Sequence, residues 1–327
     1  MSATSTLHEQ SAASATSICP DRGHLWAVVL AGGEGARLSP LTRRLYGEPR
    51  PKQFAILTGG KSLLCQTLDR VALLVPPERT VVVTLADHSA YVHRELAGHQ
   101  DLHVLAQPSN RGTAAGVLLP AHWIHARDPR ATLAVFPTDH FILEELAFMR
   151  HVSAAAAYAG AHREWMVLLG ATATEAEPDY GWIEPGECIG STAIGPLFRV
   201  REFREKPSPS AAERLLARGC LWNTFVFAAT ASALIDAGSR CLPLLHDRLV
   251  RLSVFAGTTF EPWALDQAYL LAPRADFSQA VLGSSLCCLA VAQMPPLTWC
   301  DLGTPDRVAR SLATLGLPPR RPEARAG

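Results

Sequence analysis

A chain of 327 residues, 48% hydrophobic and 18% charged, has the length for one large domain of about 250 residues with attachments, or two smaller ones, around a substantial core. Its 30 Lys+Arg balance 30 Asp+Glu, which excludes the global basic field that holds proteins on nucleic acid or anionic membranes, so any anionic ligand must be met by a local cluster. No apolar run is long enough to cross a bilayer, and the Ser/Ala/Thr-rich stretch 1–23 lacks the basic start and apolar centre of a secretory signal and reads as a disordered leader.

From there, short apolar runs alternate with segments of helical period. Strands are expected near 26–30, 80–84, 102–106, 133–136 and 165–169, and helices near 62–74, 88–96, after Arg111, and near 146–159. This is the rhythm of a doubly wound α/β sheet, mostly parallel and covered on both faces. Beyond about residue 170 the rhythm breaks into mixed strands near 180–183, 198–203 and 221–227. A helix is expected to start at Ser210, where Ser210 and Glu213 have capping-box spacing. Helices fill about 230–272, strands recur near 287–293 and Trp299, and Thr304 with Pro305 opens a last helix.

Lysine is scarce: Lys52, Lys61 and Lys206 are the only three, so their positions carry information. The eight cysteines show no C-x-x-C pair and suit free thiols in a reducing cytoplasm, and His122 and His125 belong to no metal motif. The strand ending at Leu30 runs into Ala31-Gly32-Gly33-Glu34-Gly35-Ala36-Arg37, where glycines after a strand allow backbone amides to approach a phosphate or a base. A dinucleotide turn fails because Leu38 stands at the third glycine position. A P-loop around Gly60-Lys61-Ser62 lacks its first glycine and a feeding strand, and Ser62 as a helix N-cap explains the same residues.

VVLAGGEGARLSPLT, Pro51-Lys52-Gln53-Phe54, Gln107-Pro108-Ser109-Asn110-Arg111-Gly112-Thr113 and Phe136-Pro137-Thr138-Asp139-His140 follow one another in the chain. Tyr180-Gly181-Trp182-Ile183, Glu205-Lys206-Pro207, Leu221-Trp222-Asn223-Thr224 and Trp299-Cys300-Asp301-Leu302-Gly303 complete the set. In this order they resemble the sugar-1-phosphate nucleotidylyltransferases, and within them the mannose-1-phosphate guanylyltransferases. The resemblance covers 25 to about 310 and departs at Ala36, Gly112 and Phe225, where threonine, asparagine and a small residue are usual. The segment from Phe260 to Asp266 resembles a later sugar-side helix of the family, with Leu271 where an acidic residue is expected.

The resemblance implies a Rossmann-like nucleotidyltransferase fold with a smaller sugar-binding subregion. It divides the chain into the leader 1–23, a catalytic domain 24–310 with a nucleotide half to about 170 and a sugar half beyond it, and a C-terminal helix and tail over 311–327. No second enzyme or β-helix domain is expected after it. The implied reaction is transfer of a nucleotidyl group from an NTP, GTP favoured, to a hexose 1-phosphate such as mannose 1-phosphate, with Mg²⁺. Arg37, Lys52 and Lys206 would hold phosphates. Ala31, Gly32, Gly33, Gly35, Gln107 and Thr113 would form the nucleotide site, Gly181, Glu205 and Asn223 the sugar site, and Asp139 with Asp301 the metal site. Another hexose-1-phosphate uridylyl- or thymidylyltransferase, or a non-catalytic nucleotide-sugar-binding regulator, is the alternative. No nucleic-acid or membrane partner is implied, the location is cytoplasmic, and a homodimer is left open.

Overall fold

The structure, a computed structural model, describes residues 22–99 and 101–318. The stretch expected to be a leader falls outside these residues except for Arg22 and Gly23, as does the tail after Pro318.

Among the described residues eleven strands and ten α-helices follow in chain order: β1 Leu25–Leu30, α1 Ser39–Tyr46, α2 Leu63–Val71, β2 Thr80–Leu85, α3 Ser89–Glu95, β3 His103–Gln107, α4 Thr113–His125, β4 Thr132–Pro137, β5 His140–Ile142 and α5 Glu145–Ala161. Then come β6 Met166–Thr172, β7 Gly181–Thr192, β8 Gly195–Glu205, α6 Pro209–Ala217, β9 Leu221–Thr230, α7 Ala231–Cys241, α8 Pro243–Ser253, α9 Glu261–Leu270, β10 Leu289–Gln293, β11 Trp299–Asp301 and α10 Pro305–Thr314.

Nine of the strands form one sheet in the order β3-β2-β1-β4-β9-β6-β10-β8-β7, and β5 pairs with β11 in a separate ribbon. The pairings make seven of the nine strands run one way, with β8 and β9 reversed. The sheet is thus mostly parallel, and its central strands are apolar on both faces because helices cover both. Trp26, Val28, Leu133 and Val135 point to one core with Val117 and Leu118 of α4, Leu234 of α7 and Leu249 of α8. Ala27, Val29, Ala134 and Phe136 point to the other, with Leu64 of α2, Phe148 and Val152 of α5 and Leu215 of α6. A third cluster joins Leu38 and Leu45 to Leu302, Val308 and Leu312, so α10 packs beside α1.

Strand β9, from beyond residue 170, lies between β4 and β6, so both halves of the chain share one sheet. Helix α10 begins at Pro305 with Thr304 as its cap, where the sequence places a last helix. One expectation changes. The helix expected from Ser210 starts at Pro209: Ser208, in an extended conformation, accepts a hydrogen bond from the Ala211 amide and is the cap. Proline fits the first helical position, where its missing N–H costs nothing, and that outranks the Ser210–Glu213 spacing. Among the described residues no helix is long and apolar enough to cross a membrane.

Candidate active site

Strands β1, β3 and β4 end together, and the chain leaves each by a turn. Against these ends stand the start of β7, the end of β8 and the middle of β9. Between them lies a cleft of about 570 Å³, in the place where open α/β sheets collect ligands.

One lip is the glycine turn. Gln53, buried in the short turn Lys52–Phe54, donates from Nε2 to the carbonyls of Ala31 (2.8 Å) and Gly33 (2.9 Å) and so fixes the path of residues 31–33. That explains why P-K-Q-F belongs with the glycine turn although 20 residues separate Gln53 from Gly33. Gly32 and Gly33 line the cleft; Gly35, at φ +65, packs against Lys52 behind it. Ala31 does not serve as expected. It is fully buried, and its amide donates to the Val83 carbonyl (2.7 Å), which leaves no N–H for a base.

Gln107 and Thr113 line the same lip but are already engaged. Gln107 donates to the Thr84 carbonyl (3.3 Å) and accepts from the Tyr269 hydroxyl (3.0 Å). The Thr113 hydroxyl donates to Asp276 (3.1 Å) and accepts from the Phe277 amide (2.8 Å), which ties the segment 275–277 to the start of α4. Gly112 adopts φ +84, a conformation that favours glycine, and a Cβ there would lie 2.3 Å from the Ala275 carbonyl oxygen. The Ala275 amide in turn donates to Arg111 O (3.0 Å), so backbone and side chain together strap this segment across the end of the cleft.

The opposite lip is a row on three strands. Gly181 of β7 is in register with Glu205 of β8 on one side and Asn223 of β9 on the other. A side chain at Gly181 would meet Glu205 Oε2 at 2.8 Å. The pairing of β6 with β9 shifts register between Leu168 and Gly170, opposite Phe225 at φ +58, and Thr224 donates to Leu169 O (2.7 Å) inside this bulge. Such a bulge re-aims neighbouring side chains, and Asn223 thereby enters the cleft. Burial pushes the Glu205 carboxyl above its ordinary range; Lys206 opposes that and Asp276 adds to it. Lys206, also at positive φ, holds its ammonium 3.5 Å from Glu205 and remains half-exposed.

The ribbon closes the floor. β5 and β11 are antiparallel with His140 opposite Asp301, and the Leu302 amide donates to Asp139 O (2.7 Å), so Asp139 and Asp301 come to one end of the cleft from about 160 residues apart. Lys52 pairs with Asp139. Burial alone would raise the Asp139 carboxyl, but the charges of Lys52 and His140 and the Lys52 hydrogen bond outweigh it and hold it at about 2. Asp301 accepts from Arg307 Nη1 (2.5 Å) and from the Gly303 amide (3.0 Å). Arg37 turns from the glycine lip to Asp179 (2.6 Å). A Cβ at Gly303 would lie about 3 Å from each of Asp301, Arg37 and Arg307.

Twelve of the fourteen expected site residues therefore line one cleft, Ala31 and Gly35 being behind it. Sequence reasoning missed several others. Asp179 holds Arg37, and Arg307, 3% exposed, joins Asp301 to Glu177 (2.7 Å) beneath the Tyr180 ring. Arg37 and Glu177 lie more than 100 residues from the groups they meet, so no local signal marks these pairs. None of the stretch from Phe260 to Asp266 lines the cleft; Glu261 instead accepts from Trp123 Nε1 (2.8 Å) and pairs with Arg127 at the end of α4. The residues that do line it are Arg274, Ala275, Asp276 and Ser278. Trp182 and Trp222 sit in the core, and Lys61 pairs with Asp69 (2.6 Å) on the surface, away from the cleft.

The nucleotidyl transferase family profile matches residues 26–314. The chain is 32% identical over 282 residues to the alginate biosynthesis protein AlgA of Pseudomonas fluorescens, a match covering 84% of this chain and 56% of that protein. It is 30% identical over 288 residues to the mannose-1-phosphate guanylyltransferase of Escherichia coli K12, covering 86% and 58%. A crystal structure described as mannose-1-phosphate geranyltransferase from Thermus thermophilus superposes with a TM-score of 0.74 at 32% identity, over 86% of this chain and 76% of that one. The chain spans about half the length of the curated relatives it matches.

Proposed function

Since the chain belongs to the nucleotidyl transferase family, we propose that it transfers a nucleotidyl group from an NTP, GTP in the first instance, to mannose 1-phosphate or a similar hexose 1-phosphate. The observation that carries this reading is the β5–β11 ribbon, which sets Asp139 and Asp301 where the glycine lip meets the strand lip.

In this reaction an oxygen of the sugar phosphate forms a bond to the α-phosphorus while the bond from that phosphorus to the bridging oxygen of pyrophosphate breaks. The attacking oxygen is already anionic, so no general base is required. The protein's task is to hold two mutually repelling anions in line and to stabilise the charge that develops. Arg37 and Lys52, on the glycine side, bind the β- and γ-phosphates and the departing pyrophosphate, and Lys206 binds the sugar phosphate from the other side. Arg37 and Lys52 each hold a carboxylate partner in this structure, and substrate phosphate competes with those partners as it enters. Glu205 and Asn223 bind sugar hydroxyls in the space that Gly181 leaves open, and Gly32, Gly33 and Gln107 meet the nucleotide.

Asp139 and Asp301 would hold Mg²⁺. The fit rests on two carboxylates converging on one end of the cleft, with Asp139 ionised throughout the ordinary pH range. No trio of His, Cys, Asp or Glu suited to a metal occurs among the described residues. That agrees with a hard cation that takes some of its oxygen shell from water and phosphate. Bound there, the ion would neutralise phosphate charge.

The test is pyrophosphate release from a matrix of NTPs against several hexose 1-phosphates with Mg²⁺. Turnover highest with GTP and mannose 1-phosphate is expected. Nucleotide-sugar binding without turnover for any pair would replace the enzyme by a regulator, and a preference for UTP or dTTP would move the substrate assignment alone.

A further inference from the structure

The Gln107 side chain has a donor end and an acceptor end, and a nucleobase distinguishes them. Nε2 donates to the main-chain oxygen of Thr84 (3.3 Å), an atom that only accepts. Oε1 accepts from the hydroxyl of Tyr269 on α9 (3.0 Å). Both residues are buried, Gln107 at 4% and Tyr269 at 1% exposure, so neither contact is open to replacement by bulk water. Burial also pushes the Tyr269 phenol far above its ordinary range, which keeps its proton in place as the donor. Turning the amide over would set its oxygen against the Thr84 carbonyl, acceptor against acceptor. Among the described residues the second N–H of Nε2 has no acceptor; Nε2 faces Gly32, where a Cβ would lie 3.0 Å from it, and Gly116, and all three residues line the cleft.

We infer that Tyr269 is a positioning residue that fixes the Gln107 amide with an N–H toward the cleft, and thereby selects bases that present a carbonyl oxygen there over bases that present an amino group. Guanine and hypoxanthine at O6, and uracil and thymine at O4, offer the acceptor. Adenine and cytosine offer an amino donor at the corresponding position and would face donor against donor. The inference rests on the nucleotidyl-transfer reading for its ligand, and adds to it the atom that discriminates and a residue outside the cleft that controls it. Tyr269 is 162 residues from Gln107 and is absent from the cleft wall.

The matched pair ITP and ATP isolates the effect, since the two differ only at the six-position oxygen and the ring proton that goes with it. Dissociation constants by isothermal titration calorimetry, and kcat/KM with mannose 1-phosphate, are measured for the wild type, Tyr269→Phe and Gln107→Glu. The wild type is expected to favour ITP by about ten- to a hundredfold. Tyr269→Phe removes the hydroxyl that anchors Oε1 and lowers the ITP/ATP ratio about tenfold, by a gain for ATP as well as a loss for ITP. Gln107→Glu removes the N–H altogether and lowers the ratio at least as far, which provides a second reading should Tyr269→Phe fold poorly by circular dichroism. A wild type that does not discriminate, or variants that weaken both nucleotides equally and leave the ratio unchanged, would overturn the inference. Discrimination in binding without any turnover would support it while removing the reaction.

Discussion

On the glycine lip, the main-chain path of residues 31–33 is held from behind by Gln53, and the Arg37, Lys52 and Gln107 side chains are placed around it. Across the cleft, Glu205, Asn223 and Lys206 reach in as side chains from strands β8 and β9 and the turn after β8. The first lip is shaped by what supports the backbone, and the second by what each residue carries. Substitutions should accordingly act through geometry on one side and through chemistry on the other, with the carboxylate pair at the seam sensitive to both.

The largest effect is expected at that seam. Asp139→Ala and Asp301→Ala should each lower kcat by about a thousandfold while circular dichroism still reports a folded chain. Near-normal rates in either variant would remove that residue from the metal site and the seam from the comparison.

Acid tests the glycine side through stability. His122, on the helix that begins at that lip, has its imidazole pushed by burial, with His246 on α8 and His125 on its own helix adding, from 6.5 to about 4. Above pH 6.5 both folded and unfolded chains are neutral there. As pH falls from 6.5 to about 4 the unfolded chain takes up a proton that the native chain refuses, so stability drops by up to about 3 kcal/mol. Replacing His122 by Leu should flatten the fall in Tm between about pH 7 and about pH 5; an unchanged slope would assign the acid sensitivity elsewhere.

Two variants then set the lips against each other. Gln53→Ala removes the Nε2 donor shared by the Ala31 and Gly33 carbonyls, and leaves Ala31 O only its weaker contact with Thr84 Oγ1 (3.5 Å) and the His88 side chain. It should cost about 2 kcal/mol of stability and raise the KM for nucleotide while that for sugar phosphate changes little. Gly181→Ala, whose Cβ would press on Glu205, should raise the KM for sugar phosphate about tenfold with little change for nucleotide. Equal shifts in both KM values for either variant would dissolve the distinction between the lips. The smallest effect is expected at Lys61: Lys61→Ala should stay within about twofold of the wild type, since only an exposed pair with Asp69 is lost.

The parallel core was legible because strands buried on both faces leave uninterrupted apolar runs, as in Val81, Val82 and Val83. Ribbon strand β5 was not, because three residues have no period and its partner lies about 160 residues on. The start of α6 was misread because Ser208 and Ser210 both look like caps, and only Pro209 between them decides. Within the cleft, the residues that approach substrate were readable as motifs, whereas those that hold them were not. Asp179, Tyr269 and Arg307 act on partners 142, 162 and 6 residues away, and even Arg307, close to Asp301 in sequence, is oriented by Glu177 on a distant loop.

The close approach of Gly112 to the Ala275 carbonyl makes the two positions interdependent. A side chain at 112, such as the asparagine usual in the resembling family, has no room while the strap lies where it does. Transplanting a relative's turn into this chain should therefore fail unless its counterpart of the 274–278 segment is moved with it, so the two form a single cassette for exchange.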